Sequence, residues 1–117
     1  MKLQTYKHED NRRTLVEWID NIPVKCVKTI FVKEKIPLGN HYHNNKDEIF
    51  YLLKGKGVCT LKTRAVKPKI TRDWMFEGDC ILVPRGVIHR FELFPDSILL
   101  EAATEPYNHE DEIQVFE

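Results

Sequence analysis

Gly39-Asn40-His41-Tyr42-His43-Asn44-Asn45-Lys46-Asp47-Glu48-Ile49-Phe50-Tyr51-Leu52-Leu53-Lys54-Gly55 is the stretch that decides how the 117-residue chain folds. Its second half is short, β-branched and aromatic, the composition of a strand. Its first half sets two imidazoles at i and i+2. On a strand such side chains share a face, so His41 and His43 point together while Tyr42 points away. If Asn44–Asp47 turn the chain, Glu48 returns beside the histidine pair. Alternation then puts Phe50 and Leu52 on the face of Glu48. A carboxylate followed by apolar residues on one face predicts an enclosed cavity with one polar end.

The strand pattern continues on both sides. Val24–Lys33, Val58–Thr63, Asp79–Val83, His89–Phe94 and Ile98–Ala103 read as further strands, and Thr14–Asp20 leans the same way because Thr14, Val16 and Trp18 alternate. Lys54-Gly55-Lys56-Gly57 is a hairpin connection, and Pro84-Arg85-Gly86 a second turn. The six prolines leave few intervals long enough for a helix. Short strands at regular spacing predict an all-β barrel or sandwich. The length suits one domain spanning 1–117, with N-terminal strands over 1–35, a motif core over 39–93 and an acidic tail over 105–117.

Eighteen basic and eighteen acidic residues cancel, so the whole-chain charge favours neither nucleic acid nor an anionic membrane as partner. The apolar runs are only a few residues long, against about 20 for a membrane span. Met1–His8 lacks the pattern of a signal peptide, which makes cytoplasm the expectation. Cys26, Cys59 and Cys80 are odd in number and widely spaced, and read as buried thiols. Lys62–Arg72 is basic throughout and reads as a solvated loop, with phosphate contact by Lys62, Arg64, Lys67 or Lys69 as the alternative. Glu105, Glu110, Asp111, Glu112 and Glu117 form an acidic, solvated tail.

His89 follows the Pro84-Arg85-Gly86 turn, with Phe91 and Leu93 on its face. Two histidines with one carboxylate form a facial set for a divalent metal, and a third histidine makes a four-ligand N3O set. Six-coordinate metals would keep two positions open, the layout of a catalytic centre.

The two segments resemble the two motifs of the cupins. His41-x-His43-x4-Glu48-x6-Gly55 matches the first motif, with Lys35 in place of its leading glycine. Gly78-x5-Pro84-x-Gly86-x2-His89 matches the second, with Leu93 in place of its closing Asn. The resemblance implies a conical β-barrel (a double-stranded β-helix, or jelly roll) of two antiparallel sheets. It implies His41, His43, Glu48 and His89 as ligands of one divalent ion (Zn, Fe, Mn, Ni or Co), and a homodimer formed through the N-terminal strands. Gly39–His43 with Gly55–Val58 also resembles the C-terminal cupin domain of capsular-polysaccharide sugar-nucleotide enzymes. Asp10-x-Arg12-Arg13-x-Leu15 resembles the opening of deoxythymidine-diphosphate-sugar epimerases and ketoisomerases, with Arg13 in place of Gly. Glu112-Ile113 is similar to the close of sugar-phosphate isomerase cupins.

These likenesses imply metal-assisted isomerisation or epimerisation of a keto-sugar or sugar nucleotide. Such a reaction removes a proton beside a carbonyl, and the enediolate formed needs charge stabilisation. The general base is expected to be His109, or Tyr107, if the tail folds over the barrel mouth, or Tyr51 if β-alternation is broken there. The alternatives are an iron-dependent dioxygenase, a non-catalytic module that binds a small ligand, and decarboxylase or lyase chemistry.

Overall fold

The computed structural model describes residues 1–115. Twelve strands account for most of them. They are β1 (Lys2–Leu3), β2 (Tyr6–Glu9), β3 (Thr14–Glu17), β4 (Cys26–Phe31), β5 (Leu38–Tyr42), β6 (Glu48–Lys54), β7 (Lys56–Lys62), β8 (Ile70–Phe76), β9 (Cys80–Val83), β10 (Ile88–Leu93), β11 (Ile98–Ala103) and β12 (Ile113–Gln114). A 3₁₀ turn, His109–Asp111, precedes β12. Two five-stranded sheets, ordered β1-β9-β6-β11-β4 and β12-β5-β10-β7-β8, face each other, and β2 and β3 form a separate hairpin. Every pairing is antiparallel. No helix among the described residues is long and apolar enough to cross a membrane.

Strand β6 shows why the chain closes on itself. Its first five residues are all buried, as expected of a central strand covered on both faces. Phe50 and Leu52 join Cys59, Met75, Ile81, Phe91, Leu93 and Leu99 between the sheets. Ile49 and Tyr51 point outward, where Val16, Trp18, Ile19 and Ile22 of the N-terminal segment cover them. Leu93, at the position of the missing motif Asn, is fully buried in the core. A leucine there adds apolar contact and leaves no polar atom to satisfy.

The expected strands form within a few residues of their expected bounds, with three differences. Thr14–Asp20 is extended only to Glu17, after which Trp18 stacks on Tyr51 at 5.4 Å between ring centroids. The basic stretch is not all loop, because Ile70 opens β8. The acidic tail is not solvated throughout, because Asp111 is buried and β12 pairs with β5. Glu117 lies outside the described residues.

Candidate metal centre

Three segments deliver the site: β5 with the residue after it, the start of β6, and β10. On β5, Gly39 and Asn40 both take positive φ, 92° and 61°. Register with β10 slips there: His89 lies opposite His41, and Arg90 opposite Gly39, which leaves Asn40 as an extra residue. Such a bulge bends its strand and re-aims the next side chain, here that of His41. A Cβ on Gly39 would come within 2.8 Å of the His89 carbonyl oxygen, so the close approach of the two strands requires glycine. The turn after His43 is pinned on three sides. The Asp111 carboxylate accepts from the Asn44 and Asn45 amides at 2.9 and 3.0 Å, the Asp47 amide donates to Thr104 Oγ1 at 3.0 Å, and the Gly86 amide donates to the His43 carbonyl at 2.7 Å. Glu48 begins β6 opposite Ala103 of β11 and Val83 of β9.

The result is a compact cluster. His41, His43 and His89 each offer a ring nitrogen, and these nitrogens all lie within 4.8 Å of one another. Glu48 Oε1 sits 3.3 Å from His43 Nε2 and 3.5 Å from His89 Nε2. Phe50 and Phe91 pack beneath His89, with ring centroids 5.7 and 6.1 Å away. His43, Glu48 and His89 are buried and His41 is half-buried.

Protonation follows from the partners. His43 Nδ1 faces the Asp111 carbonyl oxygen at 2.8 Å. A carbonyl only accepts, so Nδ1 carries the proton and Nε2 keeps its lone pair. His41 Nδ1 faces Glu112 Oε1 at 3.3 Å, which directs its other nitrogen inward by the same logic. Burial depresses all three imidazoles: His41 and His43 titrate below the usual range, and His89, with His41 and His43 also beside it, is pushed down to about 3. They are therefore neutral near pH 7. Burial, then the Glu101 carboxylate beside it, pushes the Glu48 carboxyl up to about 8. Glu48 Oε1 has no hydrogen-bond partner.

Lone pairs on Nε2 of His43 and on Glu48 Oε1 thus face each other with no donor between them, which is costly inside a protein unless something positive lies there. A proton on Glu48 or a cation shared by the four residues meets that need. Three imidazole nitrogens and one carboxylate oxygen suit a divalent first-row metal. The donor set fits the ion that the motifs imply.

Two further layers of charge surround this set. Lys46, buried in the turn, holds its ammonium 4.0 Å from Glu48 Oε2. Glu101 projects inward from β11, and Lys28 of β4 stands 3.7 Å from its Oε2. None of these three was singled out from sequence. Alternation along β11 places Glu101 on the face of Leu99 and Ala103, which was the available signal.

Of the expected catalytic side chains, Tyr51 requires correction. Alternation along β6 holds, so its ring lies on the outer face against Trp18 and Cys80, and burial raises its hydroxyl pKa. His109 and Tyr107 are exposed on the tail segment that leads into β12, which packs on β5. His109 Nδ1 is 3.3 Å from the Tyr107 hydroxyl, which donates to Glu112 Oε2 at 2.8 Å. They line a groove of about 570 Å³. A second cavity of about 450 Å³ opens between β1–β9 and β7–β8, floored by Cys59, Leu61 and Ile81, with Lys2, Lys62 and Lys69 in its lining. Arg64 lies 4.0 Å over the Tyr42 ring and donates to the Gly86 carbonyl. Burial pushes the Cys59 and Cys80 thiols up to about 12 and about 11, which leaves them unreactive.

Facing antiparallel sheets with an H-x-H pair, a Glu and a distant His converging between them define a cupin. Within the cupins, the chain belongs to the polysaccharide biosynthesis C-terminal domain family, whose model matches residues 8–94. It is 31% identical over 93 residues to an uncharacterised protein of Methanocaldococcus jannaschii, a match covering 74% of this chain and 69% of that protein. It is 33% identical over 101 residues to the acireductone dioxygenase of Monodelphis domestica, covering 79% of this chain but only 55% of the relative. The fold is shared with the TDP-quinovose 3,4-ketoisomerase of Campylobacter jejuni, at a TM-score of 0.87, 19% identity, and coverage of 98% of this chain and 92% of that one.

Proposed function

We propose that this cupin holds one divalent metal ion with His41, His43, Glu48 and His89, and that it isomerises or epimerises a keto-sugar or sugar nucleotide. The observation that carries the reading is the convergence of three neutral imidazoles and an unpartnered carboxylate oxygen in a barrel shared with a sugar-nucleotide ketoisomerase. The bound ion would supply Lewis-acid stabilisation to the charge developed beside a carbonyl. The chain does the rest. Phe50 and Phe91 keep water from the inner side of the centre. Lys2, Lys62 and Lys69 outweigh the Asp73 carboxylate in the lining of the 450 Å³ cavity, which suits it to a diphosphate. His109, at the groove, is the proposed proton acceptor, with Tyr107 and Glu112 linking it to His41.

Exchange of substrate carbon-bound hydrogen with deuterated solvent tests the reaction. Incorporation of deuterium beside the carbonyl of a nucleotide keto-sugar, lowered at least about tenfold in His109→Ala, is the expected outcome. No exchange across a panel of such substrates removes the isomerase reading. The similarity to acireductone dioxygenases favours a second one, iron-dependent dioxygenation. Oxygen uptake with ferrous iron separates the two, since an isomerase turns over without oxygen. We also propose that the chain forms a homodimer, with the N-terminal strands at its interface.

A further inference from the structure

We infer that the segment Asp111–Gln114 acts as an outer coordination sphere, so that its docking and metal binding are one coupled equilibrium, with Glu112 as the positioning residue. The inference rests on the proposed metal centre and adds residues from outside both sequence motifs.

Four contacts fasten this strap to the site. The Asp111 carbonyl accepts from His43 Nδ1, and Glu112 Oε1 lies 3.3 Å from His41 Nδ1. The Asp111 carboxylate caps the amides of Asn44 and Asn45, in the turn between His43 and Glu48. Ile113 and Gln114 pair with Tyr42 and His41 on β5. Glu112 is itself aimed, because the Tyr107 hydroxyl donates to its Oε2 at 2.8 Å. The strap thus fixes ring orientation and tautomer for His43, and sets a carboxylate beside Nδ1 of His41. A ligating histidine whose other nitrogen is held by a carboxylate or carbonyl is oriented and more basic.

The coupling follows from linkage. An undocked strap frees His41 and His43 to rotate and to place the proton on either nitrogen, and only one arrangement faces the ion. Docking therefore raises metal affinity, and by reciprocity the ion tightens docking by the same factor. Asp111 of the strap also lines the groove with Tyr107 and His109, so the groove takes this form only with the strap docked.

The test combines calorimetric titration of Zn²⁺ with amide hydrogen exchange across residues 108–115. In the wild type, Zn²⁺ binds near one equivalent and slows exchange at Glu112–Val115. Glu112→Ala weakens binding about 10- to 100-fold and leaves the strap exchanging faster. Glu112→Gln, which keeps an acceptor for Nδ1–H, recovers most of the loss and guards against misfolding as the cause. Equal Zn²⁺ affinity in all three proteins, or strap exchange indifferent to Zn²⁺, overturns the coupling while leaving the metal centre standing. Absence of Zn²⁺ binding by the wild type overturns both.

Discussion

Between pH 4.5 and about 8 the Glu48 carboxyl keeps a proton in the folded chain that it releases in the unfolded one. The folded state binds more protons across that window, so this residue's contribution to stability is present at low pH and lost as pH rises through 8. His89 works in the opposite sense. Its folded value of about 3 against 6.5 unfolded means that the unfolded chain binds more protons between them, and stability rises with pH over that range. Above pH 6.5 the Glu48 slope remains without that opposition from His89. In chelator, the midpoint of thermal unfolding is therefore expected to fall from pH 6.5 to 8.5, and Glu48→Gln to flatten that fall. A divalent ion at saturation should flatten it too, because a bound ion holds Glu48 as a carboxylate across that range. Melts with the same slope in wild type and variant would show that Glu48 does not carry the proton. Lys46 and Lys28, placed to favour the carboxylate, limit the rise rather than abolish it.

At the scale of the strand, spacing made the candidate ligand set readable and tertiary contact hid what supports it. His41, His43, Glu48 and His89 were legible because strands repeat every two residues and the turns between them carry Gly and Pro at fixed offsets. Strand β8 was not, because its pattern is inside out: Ile70, Trp74 and Phe76 are exposed, and only Met75 is buried. An edge strand that shows its aromatic residues to solvent gives no usable alternation. Nor does anything local mark Glu112 as a partner of His41, which lies far away in sequence. The bulge at Gly39-Asn40 is intermediate. The glycine was visible, but its slip of register became clear only from the pairing with β10. Gly39→Ala tests that bulge. Positive φ and a contact near 2.8 Å with the His89 carbonyl should cost about 1–3 kcal/mol of stability, read as a lower unfolding midpoint. Because the strain falls between His41 and His89, metal affinity should drop as well. A variant as stable as wild type would show that the bulge relaxes freely.

For the molecule as a whole, the unsatisfied surface lies in the N-terminal third. All four residues of β2 are exposed, as are three of the four in β3, and a lone hairpin of this kind is marginal in water. The molecule measures 50 × 30 × 26 Å, elongated for its length. Strand β4 ends its sheet, so among the described residues no strand pairs with its outer edge, and Val27 and Phe31 on its outer face are 64% and 67% exposed. An open edge bearing large apolar side chains invites pairing with another chain. A second copy of the same chain meets both needs at once, since a two-fold axis lets each hairpin or edge cover the other's. Sedimentation equilibrium is therefore expected to give twice the chain mass at micromolar concentration. Val27→Asp with Phe31→Asp should shift the species toward the single chain, because two buried carboxylates without partners are costly in an apolar contact. These positions lie on the face of β4 opposite Lys28 and Ile30, so the variant spares the barrel interior and its metal affinity should persist. A single chain at all concentrations would place the hairpin's partner elsewhere and remove the dimer from the account, while the chemistry of the barrel would stand unchanged.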